Sequence, residues 1–412
     1  MPGIDEATKL FVEAHRHDDV RALALQAHRH PQVDMTAAIC QIAGWQKARL
    51  KIPSWAEHND IIYPPHLSLE QCSSDNTAKY KALLCQRLIN EYSEKSHGSI
   101  LADMTGGMGV DFAALAPLFD NSIYIEQQHN LCTCAEHNFK VLKLKGVEIV
   151  EADSTEALKK LPHTTTIFAD PARRDTHGKR TFAIADCTPN ILTNLAQTLD
   201  NTDFMMLKLS PMLDWRQAEK EINEACRESV KEIHIVATAN ECKELLFVLS
   251  KQQKQKPTAI FCSNDKQLFV TDSNTEHHAP TPPTIESDEE ALQAKWIYEP
   301  NAAIMKAGCF HTLAQQFNMK ALADNSHIFM ADSFINDFPG RTLKVERTTT
   351  MNKRMLAEAM KGIKNANITT RNFNLSAQQL RKKLKIGDGG DIYIIAATTS
   401  NNTHILFISR KG

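Results

Sequence analysis

The feature that most limits what this chain can fold into is a glycine-rich turn between an apolar strand and a helix. Ile100-Leu101-Ala102 runs into Asp103-Met104-Thr105-Gly106-Gly107-Met108-Gly109-Val110-Asp111. Glycines at such a turn permit left-handed backbone and let main-chain N–H groups come close to a ligand, and the helix that opens after it favours negative charge. Further short apolar strands are expected at 122–125, 147–150, 166–169, 204–207, 233–236 and 259–261, with helical stretches between most of them, as at 130–140 and 215–225. Alternation of strand and helix at this spacing predicts a doubly wound, mainly parallel α/β sheet. In such a sheet the ligand crevice lies at the carboxyl ends of the strands.

The remainder of the 412 residues divides around that core. Residues 1–95 have helical apolar spacing throughout, including an amphipathic run at 78–89. The core itself is expected over 96–275. Residues 276–340 read as a linker and a small mixed α/β region, because 271–290 combines Pro280, Pro282 and Pro283 with an acidic run. Residues 341–412 read as a compact α+β module, with strands at 343–345, 392–396 and 404–408 and helices at 352–364 and 376–383.

Charge separates these parts. The net value of -2 conceals a balance of +10 over residues 341–412 and -12 over residues 1–340. A basic module on an acidic body points to a polyanionic partner, RNA above all. No apolar run reaches the about 18 residues that a membrane span requires, and the N-terminus lacks a basic-then-apolar leader, so a cytoplasmic protein without membrane contact is expected. Ten cysteines without a C-x-x-C pair predict reduced thiols, not a disulfide framework. No metal is expected. Cys132 and Cys134 have no second pair to complete a site, and the H-x-H pairs His15/His17 and His28/His30 would point their rings apart on a helix. Oligomeric state has no signature in the sequence.

Two ligands compete for the glycine turn. A dinucleotide needs G-x-G-x-x-G; Gly107 and Gly109 fit, but Phe112 stands at the third glycine position. S-adenosylmethionine needs an acid on the turn, an acid after the second strand for the ribose and a polar residue after the third for adenine. Asp103, Glu126 and Asp153 follow three successive strands in that order. The fourth strand ends in Asp170-Pro171-Ala172-Arg173-Arg174. There an acid and a proline can offer hydrogen-bond acceptors to an amino group awaiting methylation.

These motifs resemble class I S-adenosylmethionine-dependent methyltransferases, the D-x-T-x-G-x-G-x-D turn being similar to the variant of some RNA methyltransferases and D-P-A-R-R to the D-P-P-[YFR] motif. More narrowly, Leu69-Glu70-Gln71-Cys72-Ser73-Ser74 and Lys385-Ile386-Gly387-Asp388-Gly389-Gly390-Asp391 resemble bacterial methyltransferases with a THUMP-like C-terminal domain. The resemblance implies a Rossmann-like methyltransferase sheet at 96–275, a ferredoxin-like region within 276–340 and a THUMP-like domain at 341–412. It also implies that residues 70–74 fold over the cofactor. Asp103, Thr105, Gly107 and Gly109 would line the methionine moiety of S-adenosyl-L-methionine. Glu126 would hold its ribose, and Asp153 and Ser154 would face its adenine. Asp170 and Pro171 would sit at the methyl group. Arg173, Arg174, Lys208, Arg381, Lys382 and Lys383 are candidate RNA contacts. Thr105 stands where many members have glycine, and Ala172 replaces the second proline. The expected activity is methyl transfer to rRNA or tRNA. The alternatives are an RNA-binding protein on a silent methyltransferase fold, or an enzyme acting on protein or a small molecule.

Overall fold

The computed structural model describes residues 4–64, 66–93, 98–172, 184–252 and 257–412. The chain forms two compact units: Met1–Glu232 with Glu244–Gln255, and Ile233–Lys243 with Lys256–Gly412.

The first unit opens with helices. Asp5, Asp19 and Asp34 each accept a backbone N–H at the start of one, as N-caps should. The longest, Asp75–Tyr92, carries a reciprocal Ser74/Thr77 capping box. Then come β1 (Ile100–Asp103), β2 (Asn121–Glu126), β3 (Val147–Glu151), β4 (Thr164–Ala169) and β5 (Thr202–Leu209). The chain continues into β6 (Val230–Thr238) and β7 (Glu241–Leu249). Within this unit the strand order is β3-β2-β1-β4-β5-β7. The pairs among β1 to β5 are all parallel, and β7 runs antiparallel to β5. β4 is buried at every position, as a central parallel strand covered on both faces must be.

The second unit contains the hairpin of β8 (Ala259–Asn264) and β9 (Gln267–Asp272). It also contains a seven-stranded sheet of β10 (Trp296–Pro300), β11 (Lys320–Ala321), β12 (Phe329–Ala331), β13 (Gly340–Thr350), β14 (Asn367–Arg371), β15 (Tyr393–Thr398) and β16 (His404–Lys411), in the order β11-β12-β10-β13-β16-β15-β14. One face of that sheet carries Ile297, Leu343, Ile395 and Phe407 into a core; the other packs Ile394, Leu406 and Ile408 under helices that contribute Ala359 and Leu380. The segment read as a linker is more ordered than its prolines suggest. Asp272 caps a helix over Ser273–His278, Ser287 caps another over Asp288–Leu292, and Ile285 N–H donates to Ala321 at 3.0 Å. Among the described residues no helix is long and apolar enough to cross a membrane.

Candidate active site

The glycine turn is held from three sides. Gly106 N–H donates to the Ile125 carbonyl at 2.9 Å, and the Tyr124 hydroxyl donates to the Gly107 carbonyl at 2.6 Å. Gly107 N–H donates to Glu126 Oε2 at 2.9 Å. Gly109 has φ +83°, and a Cβ on it would lie 2.7 Å from the Phe139 ring, so the left-handed backbone and the close packing both require glycine. Glu126 also accepts from Gln128 N–H at 2.9 Å, which fixes its carboxylate at the end of β2.

Asp103, at the end of β1, is 1 % exposed. Its Oδ1 accepts from Thr105 N–H at 2.9 Å and from the Thr105 hydroxyl at 3.4 Å. Burial nonetheless pushes its carboxyl up to about 8, with Asp111 and Asp170 adding repulsion against the Thr105 bonds. The Thr105 hydroxyl in turn accepts from Asp170 N–H at 2.7 Å. One side chain therefore joins the turn after β1 to the turn after β4. Pro171 is buried, and Ala172 exchanges two backbone hydrogen bonds with Thr188, at 2.8 and 2.9 Å.

Beside this corner lies a buried ion network. Lys208 sits one residue beyond Leu207, which pairs with Ala169, and its ammonium bonds Asp170 Oδ2. Its side chain is only 12% exposed. Although desolvation opposes the charge, Asp170, Asp111 and Glu244 hold this ammonium well above the usual lysine range. That placement makes Lys208 a partner of Asp170, not an exposed cation steering a polyanion. Lys81, fully buried, donates to both oxygens of Glu244 at 2.8 Å, to Ser73 Oγ at 3.1 Å, and lies 3.1 Å from Asp111 Oδ1. Ser73 Oγ donates to Asp111 Oδ2 at 2.7 Å. Ser73 thus anchors its segment to the helix that opens after the glycine turn.

The crystal structure of a candidate methyltransferase from Porphyromonas gingivalis W83 is 30% identical over 98% of this chain and 98% of that one, with a TM-score of 0.83. This chain belongs to the class I S-adenosylmethionine-dependent methyltransferases with a THUMP-like C-terminal domain. Residues 296–339 match the model of a ferredoxin-like domain, and residues 340–411 that of a THUMP domain-like family. More distant are an S-adenosylmethionine-dependent methyltransferase of Agrobacterium tumefaciens (13% identity, 41% of this chain and 61% of that one, TM-score 0.32) and an rRNA methylase of Streptococcus thermophilus (16%, 41% and 95%, 0.31). No curated protein matches the sequence.

The site of this methyltransferase-family chain fits the family's cofactor. Among the described residues, this buried Asp103 carboxylate takes its hydrogen bonds from Thr105, has two acids nearby and has no bonded counter-charge. The ammonium of S-adenosylmethionine would supply one. Glu126 presents a carboxylate already oriented by two backbone N–H groups, as paired ribose hydroxyls require. Among the described residues a Cβ on Gly107 would meet only the Thr105 carbonyl, at 3.6 Å, so none of them fills the turn on that side.

The other expected site residues have surroundings of their own. Asp153 is exposed and caps the helix Ser154–Leu158, accepting from Thr155 N–H at 2.8 Å and from the Thr155 hydroxyl, bonds that hold its carboxyl below the usual range. Ser154 is buried beneath it. Arg381 is tied to Asp388, while Lys382 and Lys383 are exposed. Arg173 and Arg174 lie outside the described residues. Sequence reasoning missed Lys81, Asp111 and Glu244. Lys81 had a signal: it interrupts the apolar face formed by Ala78, Leu84, Cys85 and Leu88 on its helix. A lysine there needs a buried partner.

Proposed function

We propose that this chain transfers a methyl group to RNA. The observation that carries the reading is the Asp103–Thr105–Asp170 hydrogen-bond chain, because it sets a carboxylate suited to an ammonium beside one suited to an acceptor, at neighbouring strand ends. The cofactor, when bound, supplies an electrophilic methyl group on sulfur. Asp103 holds the amino end, Glu126 the ribose, and Ser154 with the capped turn at Asp153 faces the adenine. Gly107 and Gly109 give the main chain room to approach. Asp170, with the carbonyl beside Pro171, orients the acceptor atom for in-line attack and excludes water from it. An acceptor nitrogen that loses its proton late needs no general base.

In this reading residues 96–275 hold the cofactor, and residues 341–412 hold the acceptor. Fourteen basic against four acidic residues over 341–412 and the THUMP-like match support RNA as that acceptor. Lys382 and Lys383 would contact phosphates, as would Arg173 and Arg174.

The test is labelled methyl transfer from S-adenosylmethionine into RNA extracted from cells lacking the protein, with mass spectrometry locating the modified nucleotide. Asp170→Ala should keep cofactor binding and lose at least about 100-fold in transfer. Equal labelling of RNase-treated and untreated extract would move the acceptor to protein or a small molecule.

A further inference from the structure

A second feature of the basic unit suits an unpaired nucleic-acid strand. On the seven-stranded sheet, Trp296 of β10 pairs in register with Lys344 of β13, which pairs in turn with Arg410 of β16. Adjacent strands place paired residues on the same face. This is the face opposite Ile297 and Leu343, whose side chains enter the core. Farther along β16 the same face carries Ile408 under helices, but Lys344 and Arg410 are exposed. Phe334 lies against Trp296, with ring centroids 4.9 Å apart, and is itself 48% exposed. The Lys344 ammonium is 5.9 Å from the Trp296 ring centroid. Gly412 closes the edge: a Cβ on it would lie 2.6 Å from the Trp296 ring and 3.5 Å from that of Phe334.

A single exposed phenylalanine needs no explanation. Here the ring lies against Trp296, Lys344 stands beside Trp296, and Arg410 is the partner of Lys344 on the next strand; among the described residues Arg410 has an acidic partner, Glu346 at 2.7 Å, and Lys344 has none. The C-terminal stretch that supplies both cations carries the +10 balance. Flat aromatic surface next to solvated cations is the chemistry that binds a stacked base and its phosphate together, without reading sequence.

We propose that Phe334, backed by Trp296, is a stacking platform for an unpaired RNA segment, with Lys344 and Arg410 on the adjoining phosphates. The inference rests on the RNA reading above and adds a place and a strandedness to it. The platform is separate from Lys382 and Lys383, which lie on the helix Ala377–Leu384.

The test uses the full chain and a fluorescein-labelled, unstructured oligoribonucleotide, read by anisotropy. Phe334→Ala should weaken binding about tenfold, and Phe334→Tyr should restore most of it. Lys344→Ala with Arg410→Ala should flatten the slope of log affinity against log salt by about 1.4, the value for two phosphate contacts on a single strand. Unchanged S-adenosylmethionine affinity in each variant shows that the chain is folded. Wild-type affinity in Phe334→Ala overturns the platform, as does an RNA duplex that competes as well as the single strand. A wild-type chain that binds duplex RNA but no unstructured oligoribonucleotide overturns the platform alone, and one that binds neither overturns the RNA reading along with it.

Discussion

The ions around the glycine turn and those of the C-terminal module use charge in opposite ways. In the first region Lys81, Asp111, Glu244 and Lys208 have side chains between 0% and 12% exposed, and each ion has a named partner. In the second, Lys344, Lys382, Lys383 and Lys385 are exposed, and the surplus is one-signed. Buried charges fix geometry, because leaving one unpaired is costly, while exposed charges act at range and fade with salt. According to burial, the same residue type is locked into ion pairs in one unit and left solvated in the other.

That contrast can be broken most severely at Lys81. Lys81→Met leaves Glu244 and Asp111 buried without the ammonium that bonds them directly and should lower the unfolding free energy by about 3–5 kcal/mol, measured by denaturant titration. A double variant, Lys81→Met with Glu244→Leu, should regain part of the loss. A fall under about 1 kcal/mol in the single variant would mean the network is not structural.

Next in size is Asp103. Asp103→Ala should weaken S-adenosylmethionine binding by about 10- to 100-fold in calorimetry, the worth of a hydrogen bond to a charged group. The same carboxyl sets a pH dependence. Its folded value, about 8, lies above its ordinary 3.8, so between these values the free folded chain keeps a proton that the unfolded chain has lost. Its contribution to stability is therefore fully present below about 4 and is lost as pH rises toward 8. Cofactor affinity should run the other way, because an ammonium favours the carboxylate and expels that proton. Affinity should climb by up to about tenfold per pH unit from 6 toward 8 and then fall as the cofactor's own α-amino group, with an ordinary value of about 8, loses its proton, and Asp103→Asn should abolish the rise.

The smallest effect belongs to the exposed module. Lys382→Ala with Lys383→Ala should leave stability within about 0.5 kcal/mol of wild type. The pair should reduce RNA affinity only a few-fold at low salt, with the difference vanishing as salt is raised.

What could be read from the sequence follows from distance along the chain. The turn from Asp103 to Asp111 is a local pattern, and three parallel strands ending in Asp103, Glu126 and the turn at Asp153 are spaced by ordinary helix lengths. The ion network is not local: Lys81 and Glu244 are 163 residues apart, and nothing near either residue names the other. β14 escaped notice because Asn367-Ile368-Thr369-Thr370-Arg371 is an edge strand with little apolar alternation. Asp153 could be read as cap or ligand from its position before a helix, and its oxygen takes up the cap bonds. Thr105 stood out as a departure from glycine, yet only the fold brings its hydroxyl to the Asp170 backbone, 65 residues on.

That hydroxyl has a practical consequence. Because Thr105 Oγ1 contacts both Asp103 and the main chain of Asp170, the roles proposed above for these two acids, donor grip and acceptor alignment, would share one mechanical hinge. An engineer who enlarges the donor pocket to accept bulkier sulfonium analogues would shift the acceptor's line of approach with it. Selections for altered donors in this scaffold should therefore return compensating changes around the turn after β4.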